Sequence, residues 1–240
     1  MTNQLTDRME EVERRIATAC LRSGRSREDV KVIAVTKYVS LDTAVDAYCQ
    51  GLQHLGENRW QDAQLKWEAI SGPEAVVQDQ VGQAVWHFIG SLQTNKVKDV
   101  IGKFTYVHSL DRWSLAQAID RRASQLGLIV PCFIQVNVSG EDSKHGVEPE
   151  QLHSFAADLR TLANIRPIGL MTMAPYESEP EQTRPVFRAL RQLRDELNER
   201  SPLELPLTEL SMGMSGDFEV AIEEGATWIR LGTILVGKEG

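Results

Sequence analysis

The chain has 240 residues, of which 42% are hydrophobic and 25% charged, the composition of an ordinary globular protein. Its 26 Lys and Arg stand against 34 Asp and Glu, and the net charge of −8 argues against nucleic-acid or anionic-membrane partners, which need clustered positive charge. Neither the three widely spaced cysteines nor the five histidines show ligand spacing, so we predict no disulfide framework and no metal site.

The beginning of the chain predicts a cytoplasmic protein. MTNQLTDRMEEVERR is polar and acidic and lacks the apolar region of a signal peptide. No segment approaches the roughly 20 apolar residues that a membrane span needs.

The first predicted element is a helix over residues 1–24. Its apolar residues recur at alternating steps of four and three, as in an amphipathic helix: Leu5, Met9, Val12, Ile16 and Ala19. Gly24 then stands at the position of a C′ residue. We expect this helix to pack on the outside of the fold, and a coiled-coil contact is the alternative.

Eight strand-like segments follow, with a helical segment between each consecutive pair. The strands are KVIAVTKY, HLGEN, AVWHFIG, FTYVHSL, VPCFIQVNV, IRPIGLMTM, LTELSMG and ATWIRLGTILVG. They are short, rich in Val and Ile, and apolar on both faces, as in a covered parallel sheet. Eight right-handed β–α units in about 210 residues predict one closed (β/α)8 barrel of the TIM type, so that 1–240 form a single α/β domain. An open doubly wound sheet is the alternative.

Polar residues stand at the carboxyl end of every predicted strand, where a TIM barrel carries its chemistry. In chain order they are Lys37, Asn58, His87 with Ser91, Ser109, Asn137, Thr172, Ser211 and Arg230. The interior of a strand cannot bury so many polar groups without partners, whereas a cleft can. We therefore predict a site at this face.

Lys37 is a candidate nucleophile. It shares its predicted strand face with Ile33 and Val35, because side chains alternate along a strand. If that face points into the barrel, desolvation favours a neutral amine that can form a Schiff base with a carbonyl. The alternative is that Lys37 extends to solvent from the strand end.

The loops after the last two strands predict an anion site. Gly213, Ser215 and Gly216 let backbone N–H groups approach an anion just before a predicted helix, and Gly232 and Thr233 follow the eighth strand. These two loops frequently bind phosphate in this fold. Ordinary helix capping is the alternative, and both roles can hold together.

Two further residues, Arg230 and His87, have two interpretations each. Arg230 either forms a structural ion pair or faces the acceptor nitrogen of a ligand ring. His87 either lines the site or is a hydrogen-bonded core histidine, and Asn58 carries less information still. An amine, a phosphate site and an arginine together indicate an aldehyde that carries a phosphate, and pyridoxal 5′-phosphate (PLP) satisfies all three.

Seven motifs resemble those of the YggS/PROSC-type pyridoxal-phosphate homeostasis proteins over nearly the whole chain. They are AVTKYVS, HLGENRWQDA, WHFIGSLQTNK, VHSLD, QVNVSGEDSKHG, GLMTMAP and LSMGMSGDFEVAIEEGATWIRLGTILVG. The resemblance implies a monomeric or weakly associating fold type III barrel, similar to the N-terminal domain of alanine racemase. It also implies a role in vitamin B6 homeostasis: binding and buffering PLP, delivery to apo-enzymes that depend on it, and no established catalytic turnover.

The same resemblance assigns residues to the cofactor. Lys37 matches the Schiff-base lysine, and Arg230 matches the arginine that faces the pyridine nitrogen. The residues that fall where the phosphate is bound are Ser211, Ser215, Gly232 and Thr233. The residues in segments that line the ring are Asn58, His87 and Met212. Tyr38 departs from the pattern, since many relatives carry a smaller polar residue there.

A PLP-dependent amino-acid racemase is the alternative function. Two-domain racemases take a second acid/base from an added β domain, and we expect none here because the sequence ends at Gly240, eight residues after Gly232. Arg230 stays protonated, which keeps the pyridine nitrogen unprotonated and weakens the cofactor as an electron sink. A third possibility is a Schiff-base aldolase with Lys37 on a phosphorylated sugar.

Overall fold

The predicted strands form a closed parallel barrel in which neighbours in the chain pair and the last strand pairs with the first. The computed structural model describes residues 2–75, 77, 82–140, 145–175, 178–200 and 202–237. Within these residues the strands are β1 Lys31–Val35, β2 His54–Glu57, β3 Val85–Phe88, β4 Tyr106–Leu110, β5 Val130–Gln135, β6 Ile165–Met171, β7 Glu209–Ser211 and β8 Trp228–Leu231. The closed-barrel prediction is confirmed, and the open-sheet alternative is wrong.

Helices surround the barrel. They are α1 Thr2–Ser23, α2 Leu41–Cys49, α3 Trp60–Ser71, α4 Val97–Val100, α5 Trp113–Leu126, α6 Leu152–Leu159, α7 Pro180–Arg200, α8 Phe218–Glu223 and α9 Thr233–Val236. The predicted helix in TNKVKDVI is reduced to a 3₁₀ turn and the four residues of α4. The final strand segment is shorter than predicted, because β8 ends at Leu231 and the chain turns into α9.

The pleat of the strands divides their side chains into two sets. Outward-facing residues such as Ala34, Leu55 and Ile229 join the large hydrophobic core between the barrel and the helices. The inward set includes a small apolar cluster, formed by Ile33, Phe133, Met171 and Trp228. The remaining inward positions are therefore available to polar side chains, and these build the site.

The N-terminal helix packs on the outside of the barrel, as predicted. Its buried residues are Leu5, Val12, Ile16, Ala19 and Cys20, and they face α8 and α9. The Arg8 side chain also donates to the carbonyl of Leu235, at 2.9 Å. Gly24 ends the helix with a positive φ of 67°, a conformation that glycine adopts without steric cost. The apolar stripe is thus used within the chain.

None of the helices in the described part of the chain combines the length and the apolar character that crossing a bilayer requires.

Candidate functional site

Lys37 lies in a tight turn just beyond β1. The turn is closed by a hydrogen bond from the N–H of Val39 to the carbonyl of Thr36, at 3.2 Å. Lys37 is half-buried, and its Nζ lies 4.8 Å from the ring centroid of the exposed Tyr38. The prediction that Lys37 continues a strand face is therefore corrected, because the turn, and not strand alternation, sets the direction of its side chain.

A buried ion pair supports this turn from the helix side. The ammonium of Lys66, on α3, donates to the carbonyl of Thr36 at 2.5 Å and to Glu57 Oε1 at 2.9 Å. The hydroxyl of Thr36 donates to the same carboxylate oxygen at 2.7 Å. Burial raises the pKa of Glu57, and the charge of Lys66 opposes that rise. The residue directly before Lys37 is thus held by two charged side chains.

Arg230 is a buried cation at the carboxyl half of the barrel. Its Nη1 donates to Ser211 Oγ at 2.6 Å and its Nη2 to the carbonyl of Thr172 at 3.0 Å. Burial lowers the pKa of Arg230 to about 10, and the nearby carboxyl of Asp217 opposes this. Both hydrogen-bond partners are neutral. These contacts therefore do not form the structural ion pair that was one of the two interpretations of Arg230.

Three histidines continue from Ser211 across the barrel interior. His108 Nδ1 lies 2.9 Å from Ser211 Oγ, and His108 Nε2 lies 3.0 Å from His87 Nδ1. His87 Nε2 in turn lies 3.0 Å from His54 Nδ1. His87 and His108 are fully buried. Burial lowers the pKa of all three imidazoles, most strongly for these two.

His54 and His108 were missed by sequence reasoning. Ser109 is the polar residue predicted at the end of the fourth strand, but His108 is the one that faces inward with Tyr106, where it stacks on Phe133. A register shift between Val107 and Leu110 interrupts the pleat of β4, so alternation does not assign Ser109 to either face. Ser109 is buried, and its hydroxyl has no hydrogen-bond partner among the described residues. The period-two alternation of YVHSL, anchored on an inward Tyr106, was the signal that would have found His108.

The loops after β7 and β8 meet at the predicted phosphate site. The N–H of Gly232 donates to Ser215 Oγ at 3.3 Å, and the N–H of Arg230 donates to the carbonyl of Gly213 at 3.0 Å. In the described part of the chain, no acceptor is found for the N–H groups of four residues, Ser215, Gly216, Thr233 and Ile234. These donors remain available to an anion.

Helix capping does not use these loops. Asp217 Oδ1 accepts from the N–H of Met214 at 2.6 Å and caps no N–H of α8, while Ser215 binds Gly232 instead. Gly232 also lies against β1, because a Cβ built on it would meet Val35 at 3.7 Å. The anion loops are thus adjacent to the strand that leads to Lys37.

The three residues predicted to line a ring lie in different places. His87 is inside the barrel, in the histidine chain. Asn58 is half-buried after β2, where a Cβ on Gly90 would collide with its carbonyl. Met212 follows the inward Ser211 and therefore points outward, where it is buried in the core against the helices. The prediction for the Met212 side chain is corrected on this ground.

No cluster of His, Cys, Asp and Glu able to hold a metal ion occurs within the residues that the structure describes.

Comparisons with known proteins agree with this architecture. A family model, the alanine racemase N-terminal domain, matches residues 11–239. A pyridoxal phosphate homeostasis protein of Aquifex aeolicus is 45% identical over 232 residues, which cover 97% of each chain. The solved structure of PipY from Synechococcus elongatus with PLP bound is 35% identical, with a TM-score of 0.79, and covers 94% of this chain and 100% of that one.

A more distant structure shares the fold alone. An alanine racemase of Clostridium difficile is 16% identical with a TM-score of 0.73, and this chain covers 56% of its length. The near full-length relatives share both the barrel and the sequence, and the chain belongs to the pyridoxal phosphate homeostasis proteins, a family built on the alanine racemase N-terminal domain.

Proposed function

We propose that this chain binds PLP covalently through Lys37 and acts in PLP homeostasis, buffering the cofactor and delivering it. The observation that carries the proposal is the combination at one mouth of a lysine turn, a buried guanidinium and free backbone donors. Among the described residues, Arg230 donates hydrogen bonds to neutral groups, and some N–H groups of the loops after β7 and β8 have no acceptor there. This donor set fits a phosphorylated ligand with an aromatic nitrogen.

The phosphate is assigned to the loops after β7 and β8. Ser215 and Thr233 contribute hydroxyl and N–H groups, and Gly232 allows the backbone to approach closely. Nζ of Lys37 would bond to the aldehyde carbon of PLP, with loss of one water molecule. Lys66 and Glu57 support this step indirectly by holding the turn that presents the amine.

Arg230 orients the ring and favours retention over turnover. A guanidinium with a pKa of about 10 stays protonated at neutral pH and can only donate, so a ring nitrogen that faces it remains an unprotonated acceptor. Such a ring would withdraw electrons weakly, which suits a protein that stores the cofactor.

The proposal extends to the setting of the protein. We assign residues 1–240 to one domain that acts in the cytoplasm as a monomer, with apo forms of PLP-dependent enzymes as acceptors and no nucleic-acid or membrane partner. The net charge of −8 supports the last point.

A visible absorption spectrum tests the covalent site. We expect a band after incubation with PLP that is lost in Lys37→Ala and kept in Lys98→Ala, which replaces an exposed lysine of α4. A band that survives in Lys37→Ala would overturn the proposal. A borohydride-trapped adduct with a phosphorylated sugar, but none with PLP, would favour the aldolase instead.

Delivery needs its own experiment. PLP-loaded protein is mixed with an apo-enzyme, and the recovery of that enzyme's activity is timed against free PLP released at the same total concentration. Transfer faster than dissociation allows supports direct delivery, and transfer at the dissociation rate restricts the role to buffering.

A further inference from the structure

A continuous chain of hydrogen bonds, called the file below, crosses the barrel interior from Arg230 to the amino end of β2. It passes from Arg230 to Ser211 at 2.6 Å, to His108 at 2.9 Å, and then through His87 to His54 at 3.0 Å for each link. His54 is the first residue of β2 and is half-buried, so the file ends near solvent at the amino end of the barrel. The other two histidines are fully buried.

The chemistry of Ser211 determines the direction of every proton in the file. In the described part of the chain, Arg230 and His108 are the two side chains within hydrogen-bond distance of its hydroxyl. Arg230 can only donate, so Nδ1 of His108 is the one acceptor for the Ser211 proton. If His108 donated instead, a fully buried hydroxyl proton would lack a partner, which is costly.

The remaining protons follow in sequence. His108 accepts at Nδ1 and therefore carries its proton on Nε2, which donates to Nδ1 of His87. His87 then donates from Nε2 to Nδ1 of His54. His54 is left with its own Nε2–H, and its partial exposure lets that group reach water. Every buried group in the file is satisfied in this arrangement.

Aromatic rings hold the imidazoles in place and in the neutral form. His108 stacks on Phe133 with centroids 4.2 Å apart, and His87 stacks on Tyr106 at 4.8 Å. Trp228 contacts both His54 and His87 at 5.0 Å. These rings exclude water from the file, so imidazolium ions are disfavoured there.

Resting on the proposed function, we infer that His54, His87 and His108 are positioning residues that hold Ser211 as a hydrogen-bond acceptor and thereby fix Arg230 against the ring of the bound cofactor. Because its proton points to His108, Ser211 has no proton to donate to a phosphate. The role of Ser211 is thus to accept a hydrogen bond from Arg230 and hold it against the ring. The phosphate is bound by the loops that contain Ser215 and Thr233.

The tautomers of the histidines test the file directly, without any ligand. In two-bond ¹H–¹⁵N correlation spectra of labelled protein at pH 7.5, all three histidines of the file are expected as the neutral Nε2–H form. Finding His87 or His108 as the Nδ1–H form, or as imidazolium, would overturn the inference. This result does not depend on whether PLP binds.

Two partial ligands then separate the ring from the phosphate. Ser211→Ala should weaken binding of pyridoxal, which lacks the phosphate, by about tenfold, because Arg230 loses its acceptor. Inorganic phosphate, measured by competition with PLP, should bind as in the wild type. The opposite split, with phosphate weakened and pyridoxal unchanged, would make Ser211 a phosphate ligand and contradict the inference.

Variants of His108 provide the matched comparison. His108→Leu should reproduce the pyridoxal loss, with little further effect in the double variant with Ser211→Ala, because both changes remove one hydrogen bond. His108→Asn, whose amide oxygen can replace Nδ1, should restore much of the binding, which also guards against misfolding of the leucine variant. Lys98→Ala, which replaces an exposed residue of α4, is the control. Additive losses from Ser211→Ala and His108→Leu would contradict the inference.

The inference and the proposed function can fail separately. If the wild type forms no Lys37-dependent band, the proposed function fails, while the tautomers still decide the geometry of the file.

Discussion

The ammonium of Lys66 lies 2.9 Å from the carboxylate of Glu57, and both are buried directly behind the turn that carries Lys37. Lys66 also donates to the carbonyl of Thr36, which already accepts the N–H of Val39 that closes the turn. The ion pair therefore connects α3 and β2 to the carbonyl of Thr36, which closes the turn. Besides contributing to stability, the pair holds the turn that carries Lys37.

Replacing Lys66 by Met should strongly destabilise the protein. The change leaves the carboxylate of Glu57 buried without its cation, and breaking such a pair costs about 3–5 kcal/mol. Urea unfolding measures the loss, with Lys98→Met on the exposed surface of α4 as the control. The double variant Glu57→Gln, Lys66→Met should recover part of the stability, because no charge is then stranded. A double variant as unstable as Lys66→Met would show that the lost contacts, rather than the stranded charge, cause the effect.

Much of the fold could be predicted because it depends on patterns that are local in the sequence. The alternation of Val- and Ile-rich strands with helices is enough to predict a covered parallel sheet. The 3.6-residue period of the apolar stripe is enough to predict α1. The inward position of His108 depends on the phase of a pleat, which one residue of error reverses. The sequence therefore indicated Ser109 and missed His108, and the register shift of β4 between Val107 and Leu110 has no signal in the sequence pattern.

Residues that act through a neighbour could not be predicted from the strand ends. Lys66 lies inside α3, where a lysine is ordinarily solvated, and its burial follows from Glu57 at the end of β2. Lys37 was predicted as a site residue because it stands where an apolar run ends. The turn in which Lys37 lies, however, depends on the hydrogen bond from Val39 to Thr36 and on the ion pair of Lys66. Neither interaction has a signal in the sequence pattern.

The neutral histidines should make stability fall in mild acid. Burial lowers the pKa of His54, His87 and His108, whereas in the unfolded chain a histidine titrates near 6.5. Below about pH 6.5 the unfolded chain binds more protons, so the contribution is complete above that pH and is lost as the pH falls. Between pH 7.5 and 5.5, each of the two fully buried histidines should remove about 1.4 kcal/mol from the free energy of unfolding.

Urea unfolding at the two pH values measures this slope, and His87→Gln serves as the comparison. That variant removes one titrating group and should depend less on pH by about the contribution of one histidine. Equal stability of the wild type at both pH values would mean that the imidazoles are not kept neutral.

Replacing Arg230 by Gln should weaken retention of PLP by about tenfold or more, without unfolding the protein. The variant removes a cationic donor, and a hydrogen bond from a charged group contributes roughly 1.5–3 kcal/mol. A fluorescence titration gives the affinity, and the thermal midpoint by circular dichroism checks the fold. An unchanged affinity would refute the contact between this residue and the ring.

Replacing Ser215 by Glu should expel the phosphate. A carboxylate about 4 Å from a phosphate charge is repelled by roughly 4 kcal/mol at a near-surface dielectric, so affinity for PLP should fall by about a hundredfold or more. Ser215→Gln, of similar size but neutral, should lose much less. Equal losses in the two variants would indicate a steric effect, and full colour in Ser215→Glu would place the phosphate elsewhere.

Gly213 is the position in the loop after β7 where a side chain should be least tolerated. Its φ is +91°, and a Cβ would stand 2.6 Å from the Cβ of Ala221 and 3.0 Å from the Cα of Phe218. Its carbonyl also accepts the N–H of Arg230, so the loop cannot shift without disturbing that strand. Gly213→Ala should therefore lower the free energy of unfolding by about 2 kcal/mol. Gly216→Ala is the matched control, because a Cβ there meets nothing within 4 Å. Similar urea midpoints for the two variants would mean that the loop adapts to a side chain at Gly213, and that its close approach to α8 is not required.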